Sequence, residues 1–269
     1  MELAFLGTGG YHYTKRGMLQ PCILFPELRI FLDAGAGFAH ANTWLKHFKE
    51  EGKNDLHFLL THSHQDHSVG LTYWWDMFYP FFNQDNGRYE VDHHLYCGAE
   101  TLDTLDTHLL IPKLGGTPRK DWPFNHQAHT LTQNEETFEI NGATIHAKKF
   151  RQRETEVYIY SVEYNGKKVS YVTDINTIKH FDEVVAFVKE SDALIIDTYF
   201  DSEYYWLAEK TAHGYTSASA NIAKSANVGT LFLTHINPYR TNLQIYINEI
   251  TRTFSNVIIP NDTEIHVLD

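Results

Sequence analysis

The stretch LLTHSHQDHSVG, residues 59–70, sets His62, His64, Asp66 and His67 side by side directly after an apolar run. Four groups able to bind a metal at one spot cannot enclose an ion from a single segment, so other parts of the chain must supply the remaining donors. Two other short apolar runs end in such a residue: VSYVTD (169–174) in Asp174 and TLFLTH (230–235) in His235. Rigid strands deliver the residues at their ends to a common sheet edge. The chain is therefore expected to build sheets in which at least three strands stop at one place. A histidine-rich surface turn would account for residues 62–67 alone and would leave Asp174 and His235 unexplained.

The rest of the pattern fits. Strands are expected at 3–7, 28–33, 56–62, 169–174, 193–200 and 230–235, where apolar residues run in short blocks. Between them, Phe38, Ala41, Leu45 and Phe48 recur at helical spacing, as do Ala218, Ile222 and Ala226, and both segments read as helices packed on a sheet. Residues 136–165 instead read as consecutive strands joined by Asn-Gly turns at 141–142 and 165–166. Strand–helix units mixed with hairpins predict an α/β fold with two mixed sheets, and no shift of composition marks a linker, so residues 1–269 read as one domain.

Composition narrows the function. Hydrophobic residues make up 42% of the chain, yet no apolar run approaches the roughly 18 residues of a membrane span, so no membrane partner is expected. The opening MELAFLGTGG carries an acid where a secretory signal carries bases, so a cytoplasmic location is expected. Cys22 and Cys97 show no metal-binding spacing and read as buried free thiols. With 34 acids against 22 bases and a net charge of −12, the chain lacks the basic stripe that an extended nucleic-acid backbone prefers.

In the cluster itself, His62 and His64 are placed to flank one cation, with Asp66 and His67 facing a neighbouring position. Imidazole and carboxylate without thiolate suit zinc first, with manganese or iron as alternatives. Two ions about 3.5–4 Å apart can clamp the oxygens of a displacement at phosphorus or at an acyl carbon. The glycines of GTGG (7–10) read as a tight turn, because the third spaced glycine of a dinucleotide fingerprint is absent. Residues 33–37, DAGAG, read as a turn supporting the site from beneath. The aromatic stretch 73–82, YWWDMFYPFF, suits core packing or a substrate cleft.

Taken together, FLGTGG (5–10), IFLDAGAG (30–37), LTHSHQDHSVGL (60–71), YVTD (171–174), IIDTYF (195–200) and the segment 213–240 resemble the metallo-β-lactamase fold superfamily, and within it the ribonuclease Z-like phosphodiesterase branch. The resemblance implies a four-layer αββα sandwich with a site for one or two divalent ions at the open edge of the two sheets. In the family's pattern His62 and His64 bind one metal, Asp66 and His67 the other, Asp174 bridges them and His235 completes the second position. The catalytic set implied is Asp66, His213 and Asp197, with His213 near the leaving group and Asp197 orienting it. Chemistry alone leaves His213 and Asp197 open to a plain structural reading, and the resemblance favours function.

One family feature is missing. A further histidine should complete the His62–His64 position, and Gln152 or Arg153 falls at its place, with His146 a candidate substitute and His93 and His94 assigned to a variable loop. An asymmetric site follows, tight at Asp66, His67, Asp174 and His235 and weak at His62 and His64. The leading expectation is a metal-dependent phosphodiesterase on a small phosphoester such as a cyclic nucleotide. A ribonuclease Z-type RNA endonuclease is less favoured, because residues 61–135 hold ten acids against four bases and KLGGTPRK is too short for that branch's tRNA-holding arm. A thioester or lactone hydrolase, and a scaffold without turnover, are the remaining alternatives, and homodimerisation is implied by the branch.

Overall fold

The computed structural model describes residues 1–12 and 18–269. Two seven-stranded sheets carry the described chain. The first runs, from edge to edge, through Glu264–Val267, Glu2–Gly7, Cys22–Phe25, Ile30–Leu32, Asp55–Leu59, Asp92–Gly98 and Asn125–Leu131. The second runs through Val257–Ile258, Thr230–Thr234, Ala193–Asp197, Lys167–Val172, Thr155–Tyr164, Ala143–Gln152 and Glu135–Ile140. Each joins an antiparallel part to a parallel part. The Asn-Gly turns are where the sequence puts them: Asn141 and Gly142 have φ of 50° and 81°, Asn165 and Gly166 of 50° and 73°. These left-handed pairs are what a two-residue hairpin with right-handed twist requires.

Side-chain alternation explains the layering. In Thr155–Tyr164, Tyr158, Tyr160 and Val162 pack between the sheets, while Val157 and Ile159 face the opposite way, toward the helices around Val184 and Ile222. Leu56 and Phe58 of the first sheet likewise join a separate outer core with Phe38, Leu45 and Phe48 of the segment Ala36–Glu50. Three apolar cores between four layers are the consequence, the central strands of each sheet buried on both faces. The two mixed sheets flanked by helices agree with the expected architecture. The aromatic stretch 73–82 belongs to the outer core through Trp74, Met77, Phe78 and Phe81, and none of it lines the site cavity described below. Cys22 and Cys97 are buried and free.

Parallel pairing brings the strand ends together. Leu32 pairs with Leu59, Val172 with Ile196 and Asp197 with Thr234, so Asp33, Thr61, Asp174, Asp197 and His235 emerge along one rim. Hydrogen bonds clasp the two sheets there: Tyr160 Oη donates to the Leu60 carbonyl at 2.8 Å, Tyr158 N to the Thr61 carbonyl at 2.8 Å and Tyr171 Oη to Asp33 at 2.8 Å.

His93 and His94 correct an expectation, for they lie on the strand Asp92–Gly98 and not in a loop. They belong to a band of histidines across three strands at the sheet edge. His93 Nδ1 is 3.0 Å from His126 Nδ1, His94 Nδ1 is 3.2 Å from His129 Nε2, and the rings of His57 and His94 stack at 4.7 Å. Burial, with the charge of His94, lowers the His57 pKa to about 4 against the pull of Asp55. Burial and the Arg119 guanidinium, 3.0 Å away, lower that of His126 to about 4 against Asp106. These groups take up protons more readily when unfolded, so they destabilise the fold progressively as pH drops from about 6.5 to about 4 and not above that window. His126→Asn is expected to shrink the fall in melting temperature between pH 6.5 and 4 relative to wild type. Parallel melting curves for the two proteins across that range would contradict this.

Candidate metal and catalytic site

The strand Asp55–Leu59 leads into His62 and His64, and the single helical turn Gln65–Ser68 then carries Asp66 and His67 inward. His62, Asp66 and His67 are all but inaccessible to solvent. Beneath them passes the turn 33–37. A Cβ on Gly35 would lie 2.2 Å from the Asp66 carbonyl oxygen, so only glycine allows this approach. Asp33, fully buried and with φ of 57°, accepts hydrogen bonds from His67 Nδ1 at 2.7 Å, Thr61 N at 2.8 Å and Thr61 Oγ1 at 2.9 Å, besides that from Tyr171. Holding Nδ1–H this way turns the lone pair of His67 Nε2 toward the cluster, the usual task of a carboxylate behind a ligating histidine. Sequence reasoning read residues 33–37 as a supporting turn and missed this role of the carboxylate. The signal was an acid closing an apolar strand, the same one that singled out Asp174.

Asp174 sits at the centre of the cluster. Its Oδ2 is 3.7 Å from His62 Nε2, and its Oδ1 is 3.6 Å from His67 Nε2 and 3.4 Å from His235 Nε2. Asp66 Oδ2 lies 3.1 Å from His235 Nε2 and 3.5 Å from His67 Nε2. Asp174 and His235 have φ of 50° and 55°, a left-handed backbone that is uncommon for such residues and clusters at functional sites. The amide of His235 is anchored to the Thr8 carbonyl at 2.9 Å, which gives the GTGG turn its part in the site.

The donors fit divalent cations. His62, His64 and Asp174 form one group whose ligand atoms lie within 4.8 Å of one another, and Asp66, His67 and His235 form another. The Nε2 atoms of His67 and His235 are only 3.2 Å apart, so two protons cannot both point into the gap while a shared cation can. His62 Nε2 and Asp66 Oδ1 are buried without hydrogen-bond partners, a costly state that a bound ion relieves. Burial lowers the basicity of every histidine here. For His67 the carboxylates of Asp33, Asp66 and Asp174 outweigh it and raise the pKa to about 9, and for His235 those of Asp174, Asp197 and Asp66 outweigh it and raise the pKa well above the usual imidazole range. His62, where burial and the charge of His67 prevail, is held neutral. The carboxylates thus demand positive charge, which protons supply when no metal does, and binding an ion displaces them.

Asp197 and His213 complete the rim. Asp197 Oδ2 accepts from His213 Nδ1 at 2.9 Å and from Gly214 N at 3.1 Å, while its Oδ1 lies 3.6 Å from His235 Nδ1. The His213 ring stacks on Tyr199 with centroids 4.5 Å apart, a packing partner that sequence reasoning did not identify. Burial would lower the His213 pKa, and the neighbouring Asp197 and Asp174 raise it on balance. His64, Asp66, Asp174, His213 and His235 open onto a cavity of about 750 Å³ whose walls include Tyr11, Tyr199, Phe200, Gln152 and Arg153. His146 is not among them. Its ring contacts Thr137 and Glu163 on the second sheet, which removes it as a substitute ligand.

Comparison with known proteins follows the same lines. The family model described as the beta-lactamase superfamily domain matches residues 28–236. A curated ribonuclease Z from Clostridium perfringens is 33% identical over 129 residues, 44% of this chain and 40% of the relative, so the chain spans less than half the length of that relative. Ribonuclease Z from Agathobacter rectalis is 24% identical over 319 residues, covering 98% of this chain and 97% of the relative. Among solved structures, the metallo-beta-lactamase fold protein YhfI from Bacillus subtilis superposes with a TM-score of 0.76 at 17% identity, covering 98% of each chain. A diphosphatase from the PhnP family gives 0.69 at 17% identity, covering 100% of this chain and 98% of its own.

Proposed function

The chain belongs to the beta-lactamase superfamily, and we propose that it is a metal-dependent hydrolase of small phosphodiesters. The observation that carries this reading is the Asp197–His213 pair, a histidine whose Nδ1 is held by Asp197 at 2.9 Å and lies 3.8 Å from Asp174 of the cluster, which leaves Nε2 as the nitrogen available to a substrate. Asp66, His67, His235 and Asp174 would hold one ion, and His62 and His64 with Asp174 the other. Metal bound by these residues would supply a nucleophilic water at neutral pH and offset phosphoryl charge.

The chain's own groups supply the rest. Asp66, whose side chain reaches the cavity wall beside the ion position, orients the attacking water. His213 gives the proton from Nε2 to the departing alkoxide, and Asp197 stabilises the imidazolium that must exist beforehand. The aromatic walls at Tyr11, Tyr199 and Phe200 suit a flat ring, as a nucleoside substrate would present. The cavity volume of about 750 Å³ is in the range of small-molecule sites.

A second reading, RNA endonuclease, is favoured by the near full-length similarity to the Agathobacter rectalis protein. Against it, that alignment runs to 319 positions, more than the 269 residues of this chain, so the relative carries segments this chain lacks. Bis-p-nitrophenyl phosphate, cyclic nucleotides, a tRNA precursor and a thioester, each assayed with zinc or manganese, separate these readings. Turnover of the small phosphodiesters above the other substrates is expected. Cleavage confined to the tRNA precursor or to the thioester would replace the proposal.

A further inference from the structure

Of the two residues at the place where the resemblance implies a histidine, Arg153 is a cation whose guanidinium donates to the Lys210 carbonyl at 2.7 Å, whereas Gln152 ends the strand Ala143–Gln152 and is 8% exposed. Its Nε2 donates to the carbonyls of Thr211 at 3.2 Å and Ala212 at 3.4 Å. Turning the amide over would set its oxygen against those two carbonyls, so the orientation is fixed by the donors. Oε1 is then left buried with no hydrogen-bond partner. A carbonyl oxygen in that state is expensive to keep, and Gln152 lines the same cavity as His64 and Asp174. His62 Nε2, in the group of His62, His64 and Asp174, is also without a partner.

We propose that the side-chain oxygen of Gln152 is the missing protein donor of the His62–His64 position, which makes that position a mixed nitrogen–oxygen site that exchanges its ion and favours manganese over zinc relative to its neighbour. A neutral amide oxygen is a harder and weaker donor than the imidazole it replaces, and oxygen donors shift preference toward manganese and magnesium. The neighbouring position, with two imidazoles and two carboxylates, keeps its ion. The two positions then differ in kind as well as in strength, and the second ion is set by its supply in solution. This assignment rests on the metal-hydrolase reading and adds to it the residue that distinguishes the two positions.

The test is metal binding, measured apart from turnover. Chelator-stripped protein is titrated with Mn²⁺ and followed by electron paramagnetic resonance, and with Zn²⁺ against a chromophoric chelator, for wild type, Gln152→Ala and Gln152→His. Melting curves report whether each variant folds. Wild type should retain one zinc ion through dialysis and bind one Mn²⁺ exchangeably. Gln152→Ala should weaken that Mn²⁺ by about 10- to 100-fold, and Gln152→His should tighten the second zinc by a similar factor. A merely structural role through Thr211 and Ala212 gives no gain in the histidine variant, so the absence of that gain overturns the proposal, even where the alanine variant does not fold. Wild-type Mn²⁺ affinity in folded Gln152→Ala, or two zinc ions held equally tightly by wild type, overturns it while leaving the hydrolase reading in place. Stripped wild-type protein that binds neither ion would remove both.

Discussion

Asp174→Ala is expected to reduce hydrolysis by about 10³-fold or more and to lower the metal content of both positions, while the stripped protein still folds and melts cooperatively, at a somewhat lower temperature than wild type. The size follows from position. One carboxylate lies 3.7 Å from His62 on one side and 3.6 and 3.4 Å from His67 and His235 on the other, so removing it takes a donor from both groups at once. Loss of several kcal/mol of charge stabilisation corresponds to about a thousandfold at 1.36 kcal/mol per decade. The fold should persist because Asp174 is no part of the apolar cores: Val172 packs on the helices and Tyr171 between the sheets, both ahead of it in the chain. Without metal, burial would raise the Asp174 pKa, but His235, His213, His67 and His62 together hold it well below the usual carboxylate range, so alanine removes their counter-charge and costs the stripped protein some stability at neutral pH. Measuring kcat/KM on the best small phosphodiester, metal content by elemental analysis and melting in parallel checks each part. A variant that keeps two bound ions and a tenth of the activity would show that Asp174 does not bridge.

What the sequence shows of this site, and what it hides, divides along a physical line. His62, His64, Asp66, His67, Asp174 and His235 stand out because each closes or directly follows a short apolar run, and parallel strands bring such ends to one edge. Those contacts are implied by local pattern. Asp33 behind His67 depends on the register of Ile30–Leu32 against Asp55–Leu59, and Tyr171 reaches Asp33 across 138 residues from the other sheet. No local pattern encodes a partner that distant. The same applies to Gln152, whose meaning lies in two carbonyls about 60 residues away. His93 and His94 misled for another reason. The strand Asp92–Gly98 lies next to the edge strand and opens on three polar residues, Asp92, His93 and His94, so its first half lacks the apolar run that would announce it. The layers, by contrast, were legible, because the central strands are apolar on both faces and the hairpins carry Asn-Gly turns.

His213→Ala carries the second large effect, and its signature is selectivity among substrates. A general acid contributes roughly 10²–10⁴-fold to rate, and that contribution is needed only when the leaving group is a poor one. An alkoxide must be protonated as it departs, whereas p-nitrophenolate leaves without help. Turnover of an alkyl or nucleoside phosphodiester should therefore fall by about 10²–10⁴-fold, with KM changing much less, while bis-p-nitrophenyl phosphate loses far less. The geometry supports a proton donor over a binding residue. Asp197 grips Nδ1 at 2.9 Å and Tyr199 fixes the ring plane by stacking at 4.5 Å, so the ring has little rotational freedom and, on the proposed reading, Nε2 would contribute through pre-organisation. A side chain that served only to hold Asp197 near His235, 3.6 Å apart, would affect both substrate classes alike. Metal content separates these cases further, because loss of a proton donor leaves the ions in place and loss of the Asp197–His235 contact does not. Equal losses on the two substrate classes, with wild-type metal content, would withdraw the acid role from His213 and return it to a solvent molecule in the cavity.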